Sequence, residues 1–177
     1  ATAHVDPMRC SGCEASWITH TVDGPGGVSQ IQWEELNPAA CTGTLNCPAS
    51  ALVQDGLLSH PSRFYFNGRM APDGNGYEAV LNFNSGSATQ LTQIRAISNT
   101  LADPAGGTHG QNLLATSAGP DLDFSCAQGG GLCLWGAYAG AETDPTNNVT
   151  VWNTNMYLAT SDGVGSAQWK TRNFATG

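Results

Sequence analysis

Charge is scarce in this sequence. Only 11% of its 177 residues are Asp, Glu, Lys or Arg, against about 25% in soluble domains, and lysine occurs once, at Lys170. Fourteen acidic side chains against six basic ones set the formal net charge at −8. No basic face is available to neutralise phosphates, which argues against nucleic-acid binding. No apolar run approaches the ~20 residues of a membrane-spanning helix. Apolar residues at i, i+3, i+4 and i+7 never persist beyond two turns before Gly, Pro or Asn intrudes, so long helices are excluded. Disorder is excluded too, because 40% hydrophobic content with five tryptophans suffices to fill a core.

What is abundant is turn chemistry and β-rich sequence. The chain holds 22 glycines and nine prolines, and its polar load falls on Thr, Ser, Asn and Gln. Short β-rich runs predict strands at 15–22, 28–36, 52–58, 63–70, 77–84, 91–98, 112–117, 136–140, 149–153, 156–161 and 168–174. Between them lie turns such as Asp23-Gly24-Pro25-Gly26-Gly27 and Pro72-Asp73-Gly74-Asn75-Gly76, where Asp-Gly and Asn-Gly favour positive φ. Many short strands separated by turns mean an all-β sandwich, barrel or propeller.

The six cysteines form three sequence-local pairs, Cys10 with Cys13, Cys41 with Cys47 and Cys126 with Cys133. Structural disulfides are the leading expectation, with the two later pairs clipping short loops. For Cys10 and Cys13 a zinc site with His4 or His20, or a redox pair, are the alternatives; a tetrahedral zinc site needs four ligands, and no second pair of that spacing exists. Disulfides imply an oxidising compartment. The chain opens at Ala1 without Met, a basic stretch or an apolar stretch, which predicts a secreted protein whose start arises from signal-peptide removal or from a later proteolytic cut.

Three units of similar order can be laid down at about 14–60, 61–104 and 132–177, with a linking stretch at 106–131 holding one further strand. Lengths near 45 residues suit a four-stranded propeller blade. Leu134-Trp135-Gly136-Ala137-Tyr138-Ala139-Gly140, then Asp144-Pro145, then Val151-Trp152-Asn153-Thr154-Asn155-Met156-Tyr157 resembles the last blade of bacterial sialidase-like (Asp-box) β-propellers. The closing Gln168-Trp169-Lys170-Thr171-Arg172 and the upstream 70–84 segment are similar to that family as well, and Ser161-Asp162-Gly163 is similar in composition to the Asp-box, with different spacing. The resemblance implies that residues 1–177 are a single propeller segment of three to four blades of four-stranded antiparallel sheets, part of a larger propeller. Its motif positions here are Trp135, Gly136, Tyr138, Asp144, Trp152 and Tyr157.

Propellers have four to eight blades, so three units leave an open wedge whose terminal blades expose apolar faces. A complementary chain or a second copy is therefore the expected partner. The function expected is a secreted module with a structural or binding role; the alternative is a glycosidase-like, sialidase-related hydrolase whose centre is shared with another chain. That chemistry calls for an arginine cluster and a Tyr–Glu pair. The arginines are Arg9, Arg63, Arg69, Arg95 and Arg172, while Tyr138 precedes Glu142 by four residues and Ala137 stands where the family's motif has Asp. No cofactor is implied. Asp121, Asp123 and Asp73 are calcium candidates, because carboxylates at alternate positions suit a hard cation, although ordinary turn chemistry explains them equally.

Overall fold

The computed structural model describes residues 2–6, 9–10, 12–41, 47–128, 130, 133–136, 138–160 and 169–177. The fold is all-β, built from three antiparallel sheets that follow one another along the chain. The N-terminal sheet is a meander of β1 (Thr2–Asp6), β2 (Cys13–Asp23), β3 (Ser29–Leu36) and β4 (Leu52–Leu58). The central sheet is a second meander of β5 (Phe64–Pro72), β6 (Glu78–Ser87), β7 (Gln90–Thr100) and β8 (His109–Thr116). The C-terminal sheet has three strands, β9 (Gly140–Thr143), β10 (Val151–Leu158) and β11 (Trp169–Thr176), with β10 in the middle. One short helix, α1 (Phe124–Gln128), lies between the second and third sheets.

Alternation decides which face each strand buries. On β2 and β3 the inward residues are Ala15, Trp17, Ile31, Trp33 and Glu35, all buried. Trp17 and Trp33 stack at 5.7 Å and meet Tyr65, Leu81 and Phe83 of the central sheet in one apolar cluster. Gly56 on β4 lies directly beneath the Trp33 indole, where a Cβ has no room. The central sheet is covered on both faces: positions 79–86 of β6 are buried without a break. Its second face packs Ala71, Val80 and Ala96 against Val151, Ala141 and Phe174 of the C-terminal sheet.

Beside that small apolar cluster the second interface is polar. Asn82 Nδ2 donates to Asn153 Oδ1 (2.9 Å) and Gly140 O (2.9 Å), and Asn155 Nδ2 donates to Asn82 Oδ1 (2.8 Å). Asn67 Nδ2 donates to Asn84 Oδ1 (3.0 Å) and Asn155 Oδ1 (2.9 Å), and Asn84 Nδ2 to Met156 O (3.0 Å). Asn82, Asn84 and Asn155 are fully buried, so two sheets are keyed together by side-chain amides. Asn67 takes a positive φ of 55° at the bulge between Phe66 and Arg69, a conformation asparagine tolerates better than most residues.

Several expectations change. The strand expected at 136–140 is β9, displaced to Gly140–Thr143, because Gly136 turns to φ 96° and packs against the Asn67 side chain. The separate strands expected at 149–153 and 156–161 are one strand, β10: Asn153 and Asn155, which suggest a turn, are satisfied by the central sheet instead. The strand in the stretch after residue 106 is β8, fourth in the central sheet. Strand β1 and helix α1 were not anticipated. All three cysteine pairs are disulfides, Cys10–Cys13, Cys41–Cys47 and Cys126–Cys133, so the sulfurs of Cys10 and Cys13 serve neither a zinc ion nor a free dithiol. Three disulfides fit an oxidising, extracellular environment. No helix among the described residues is long and apolar enough to cross a membrane.

Candidate functional site

The two terminal sheets each leave one face uncovered by the central sheet, and the two faces differ. On the N-terminal sheet the outward positions include Glu14, His20, Gln32, Glu34 and Asp55 among Ile18 and Leu57. This face is largely polar, not the apolar face expected. The C-terminal sheet and the loops flanking it concentrate exposed apolar side chains instead: Leu134 is 76% exposed, Phe124 56%, Tyr138 54% and Trp152 50%. Isolated exposed hydrophobics are ordinary, whereas a cluster marks an interaction surface.

Trp152 points outward because Val151, Asn153 and Asn155 occupy the inward positions of β10. Its indole Nε1 donates to Asp144 Oδ2 (2.8 Å), and the other carboxylate oxygen accepts from the Thr146 amide (2.7 Å) and hydroxyl (2.6 Å). Those hydrogen bonds, the Thr146 hydroxyl first and the Trp152 indole among the rest, hold Asp144 below the usual carboxylate range. An exposed tryptophan is thereby fixed in orientation. Glu142 is its cross-strand partner, and the two border a hollow of about 440 Å³ with Thr154 and Asn173.

The second group gathers where Cys126–Cys133 ties α1 to the 133–136 segment. Asp123 Oδ1 caps α1 by accepting from the Ser125 amide (2.8 Å), and Ser125 Oγ in turn accepts from the Leu134 amide (2.8 Å). Trp135 Nε1 donates to Asn84 Oδ1 (3.0 Å), anchoring the segment to the amide ladder. Tyr138 stacks on Trp169 at 5.2 Å. Together with Phe124, Leu134 and Met156 these rings border a hollow of about 540 Å³.

Of the motif positions, Trp135, Gly136 and Tyr138 therefore fall in one group and Asp144 and Trp152 in the other. Tyr157 is half-buried on β10, paired in register with Lys170. Tyr138 and Glu142 border different hollows. Among the arginines, Arg9 donates to the carbonyls of Thr100 (2.8 Å) and Asp103 (3.1 Å), and Arg69 to Gly68 O (2.7 Å). Arg172 is paired in register with Asn155. Asp73 accepts from the amides of Tyr77 and Glu78 in the β5–β6 turn, far along the chain from Asp121, whose Oδ1 accepts from the Asp123 amide (3.1 Å). Asp121, Cys126 and Cys133 place potential ligand atoms together, but both sulfurs belong to a disulfide. Ala137 and the Ser161-Asp162-Gly163 stretch lie outside the described residues. Phe124 was not singled out from sequence, and Leu134 and Trp169 entered only within segments similar to the propeller family, since no spacing rule connects a helix, a disulfide loop and a strand start. The chain matches no protein-family model, no curated protein and no solved structure.

Proposed function

We propose that this chain is a secreted structural or binding module, three blades of a larger β-propeller that a second copy completes. In this reading the outer face of the C-terminal sheet packs on the outer face of the partner's N-terminal sheet, and the reciprocal contact closes a ring of six sheets, within the four to eight of known propellers. The observation that carries the proposal is the concentration of exposed aromatic and aliphatic side chains at the C-terminal sheet, Trp152 and Tyr138 foremost. Burying each such side chain contributes about 1.5–3 kcal/mol.

The polar character of the facing surface is no obstacle. This protein already stacks two sheets through asparagine amides, and Gln30, Gln32, Thr154 and Asn173 offer the same chemistry on the two outer faces. Strands β2, β5 and β9 also approach one another, bordering a hollow of about 490 Å³ with Thr19, Arg69 and Glu142 among its walls, which suits blades converging on an axis. The resemblance to sialidase-like propellers supports the blade arrangement through its motif residues. The hydrolase alternative is not carried forward, since Tyr138 stacks on Trp169 and Glu142 lies beside Trp152.

Native mass measurement tests the proposal. A particle of twice 18.4 kDa that Trp152→Glu converts to a folded single chain is expected. A single chain at micromolar concentration overturns self-completion, and a second polypeptide co-purifying with it assigns the completing role to that chain.

A further inference from the structure

A different cluster lies on the central sheet, on the face turned towards the N-terminal sheet. Tyr65, Ser85, Gln93 and Thr116 form one cross-strand row over β5, β6, β7 and β8. Arg95 is the next residue on that face of β7, opposite Phe83. Its Nε and Nη2 both donate to Gln93 Oε1 (3.0 and 2.7 Å), and Nη1 reaches Gln111 Oε1 at 3.5 Å. Gln111 Nε2 donates onward to the Tyr65 hydroxyl (3.2 Å). His60 closes the edge of the group, its ring 6.1 Å from that of Tyr65. Arg63 stands two residues ahead of Tyr65, at the mouth of β5.

One feature of this cluster lacks a structural purpose. Among the described residues every acceptor on Arg95 is a neutral amide, and neither Arg95 nor Arg63 forms an ion pair. In a chain of net charge −8 with only six basic side chains, two of them lie near one another with no acid between. Burial and the Arg63 charge both lower the Arg95 pKa, with Tyr65 opposing, as expected of a guanidinium whose charge is uncompensated.

We propose that the Arg63–Arg95 end of this face of the central sheet is a binding site for a small oxyanion, a sulfate or carboxylate group, held by Arg63 and Arg95 beside the Tyr65 hydroxyl. Arginine presents five N–H donors in a planar fork. Arg95 commits three of them to Gln93 and Gln111, which fix its plane and leave two for an anion. The Tyr65 hydroxyl accepts from Gln111 and keeps its own proton to donate. The site is separate from the outer faces of the terminal sheets, so it stands whether or not a second copy completes the ring.

The test is a titration of the full chain with sodium sulfate and, separately, sodium acetate, ionic strength being held constant with chloride. Amide and arginine Nε–H signals are followed by NMR. Saturable shifts confined to residues 63–65, 93–95 and 111 are expected, with Arg63→Gln and Arg95→Gln each weakening binding at least tenfold. Tighter sulfate assigns a tetrahedral ligand group, tighter acetate a carboxylate. Shifts that fail to saturate for both anions, or that are equal in wild type and Arg63→Gln, overturn the proposal. Arg63 lies outside the strand ladder, so its variant remains informative even where Arg95→Gln loses stability.

Discussion

Replacing Asn155 by Ala is the sharpest probe of how the central and C-terminal sheets are joined. The side chain is fully buried. Its Nδ2 donates to Asn82 Oδ1 (2.8 Å) and Asn67 O (3.3 Å), and its Oδ1 accepts from Asn67 Nδ2 (2.9 Å) and from the Met156 amide (2.8 Å). Truncation removes all four bonds and leaves Asn82 Oδ1 with no donor among the described residues. An orphaned buried acceptor costs about 1–3 kcal/mol, and the vacated volume with the remaining lost bonds adds about 1–2 kcal/mol. A destabilisation of about 2–5 kcal/mol follows, a large part of the roughly 5–15 kcal/mol that holds a typical domain. Urea denaturation of wild type, Asn155→Ala, Asn82→Ala and the double variant measures it, and the double variant should cost clearly less than the sum. Thr154→Ala, one residue away on the outer face, is the control and should stay within about 0.5 kcal/mol. A cost below about 1 kcal/mol for Asn155→Ala, or strict additivity with Asn82→Ala, refutes the claim that the amides act as one network.

Two further outcomes are expected. Gly56→Ala places a methyl against the Trp33 indole, itself buried and stacked on Trp17, and should cost about 1–3 kcal/mol with loss of near-ultraviolet tryptophan signal; an unchanged melting temperature would show that the strand gives way freely. Asp121→Asn should stabilise the protein at neutral pH. Burial, with the Asp123 charge adding, raises the Asp121 pKa above 3.8, and its Oδ2 is buried without a partner. The folded state thus holds this proton more tightly than the unfolded state, so stability falls as pH rises from 3.8 through the raised value and the loss is complete above it. The variant should melt higher than wild type at pH 7 and equally below pH 3.8, and a lower melting temperature at pH 7 would contradict this.

The β character of the chain was legible because alternation and turn chemistry are local signals. Strand β4 lies where its β-rich run predicts, and β2, β3, β6 and β7 are each within a few residues of expectation. The failures share one cause. Asn153 and Asn155 suggest a turn because asparagine competes for backbone hydrogen bonds in an isolated segment. In β10 those amides meet Asn82 and Asn67 from the neighbouring sheet, partners about 70 to 90 residues away that no window of sequence contains. Gly136 fails in the opposite sense: its neighbours are β-rich, but its φ of 96° fits it against Asn67. The motif residues were legible as a set, whereas their division into two groups was not. That division depends on Asp144 holding Trp152 and on Trp169 receiving Tyr138.

Asparagine in this chain does the work that a second apolar layer does elsewhere, and the consequence is positional. Apolar faces can slide over one another at little cost, whereas an amide ladder has donors and acceptors in alternation and loses several bonds on any shift of register. The order of the network, from Asn67 through Asn155 and Asn82 to Asn153, therefore sets where β10 lies over β6. Trp135 extends the same network through Asn84, so the segment carrying Leu134 and Tyr138 is positioned by the sheet interface and not by its disulfide alone. The scarcity of charge then has a physical reading. Neutral amides and hydroxyls can serve either as solvated surface or as buried cross-links, whereas a buried carboxylate or ammonium must be paired at high desolvation cost. A sequence that stacks sheets through polar faces is best written in Asn, Gln, Thr and Ser, with charges kept few.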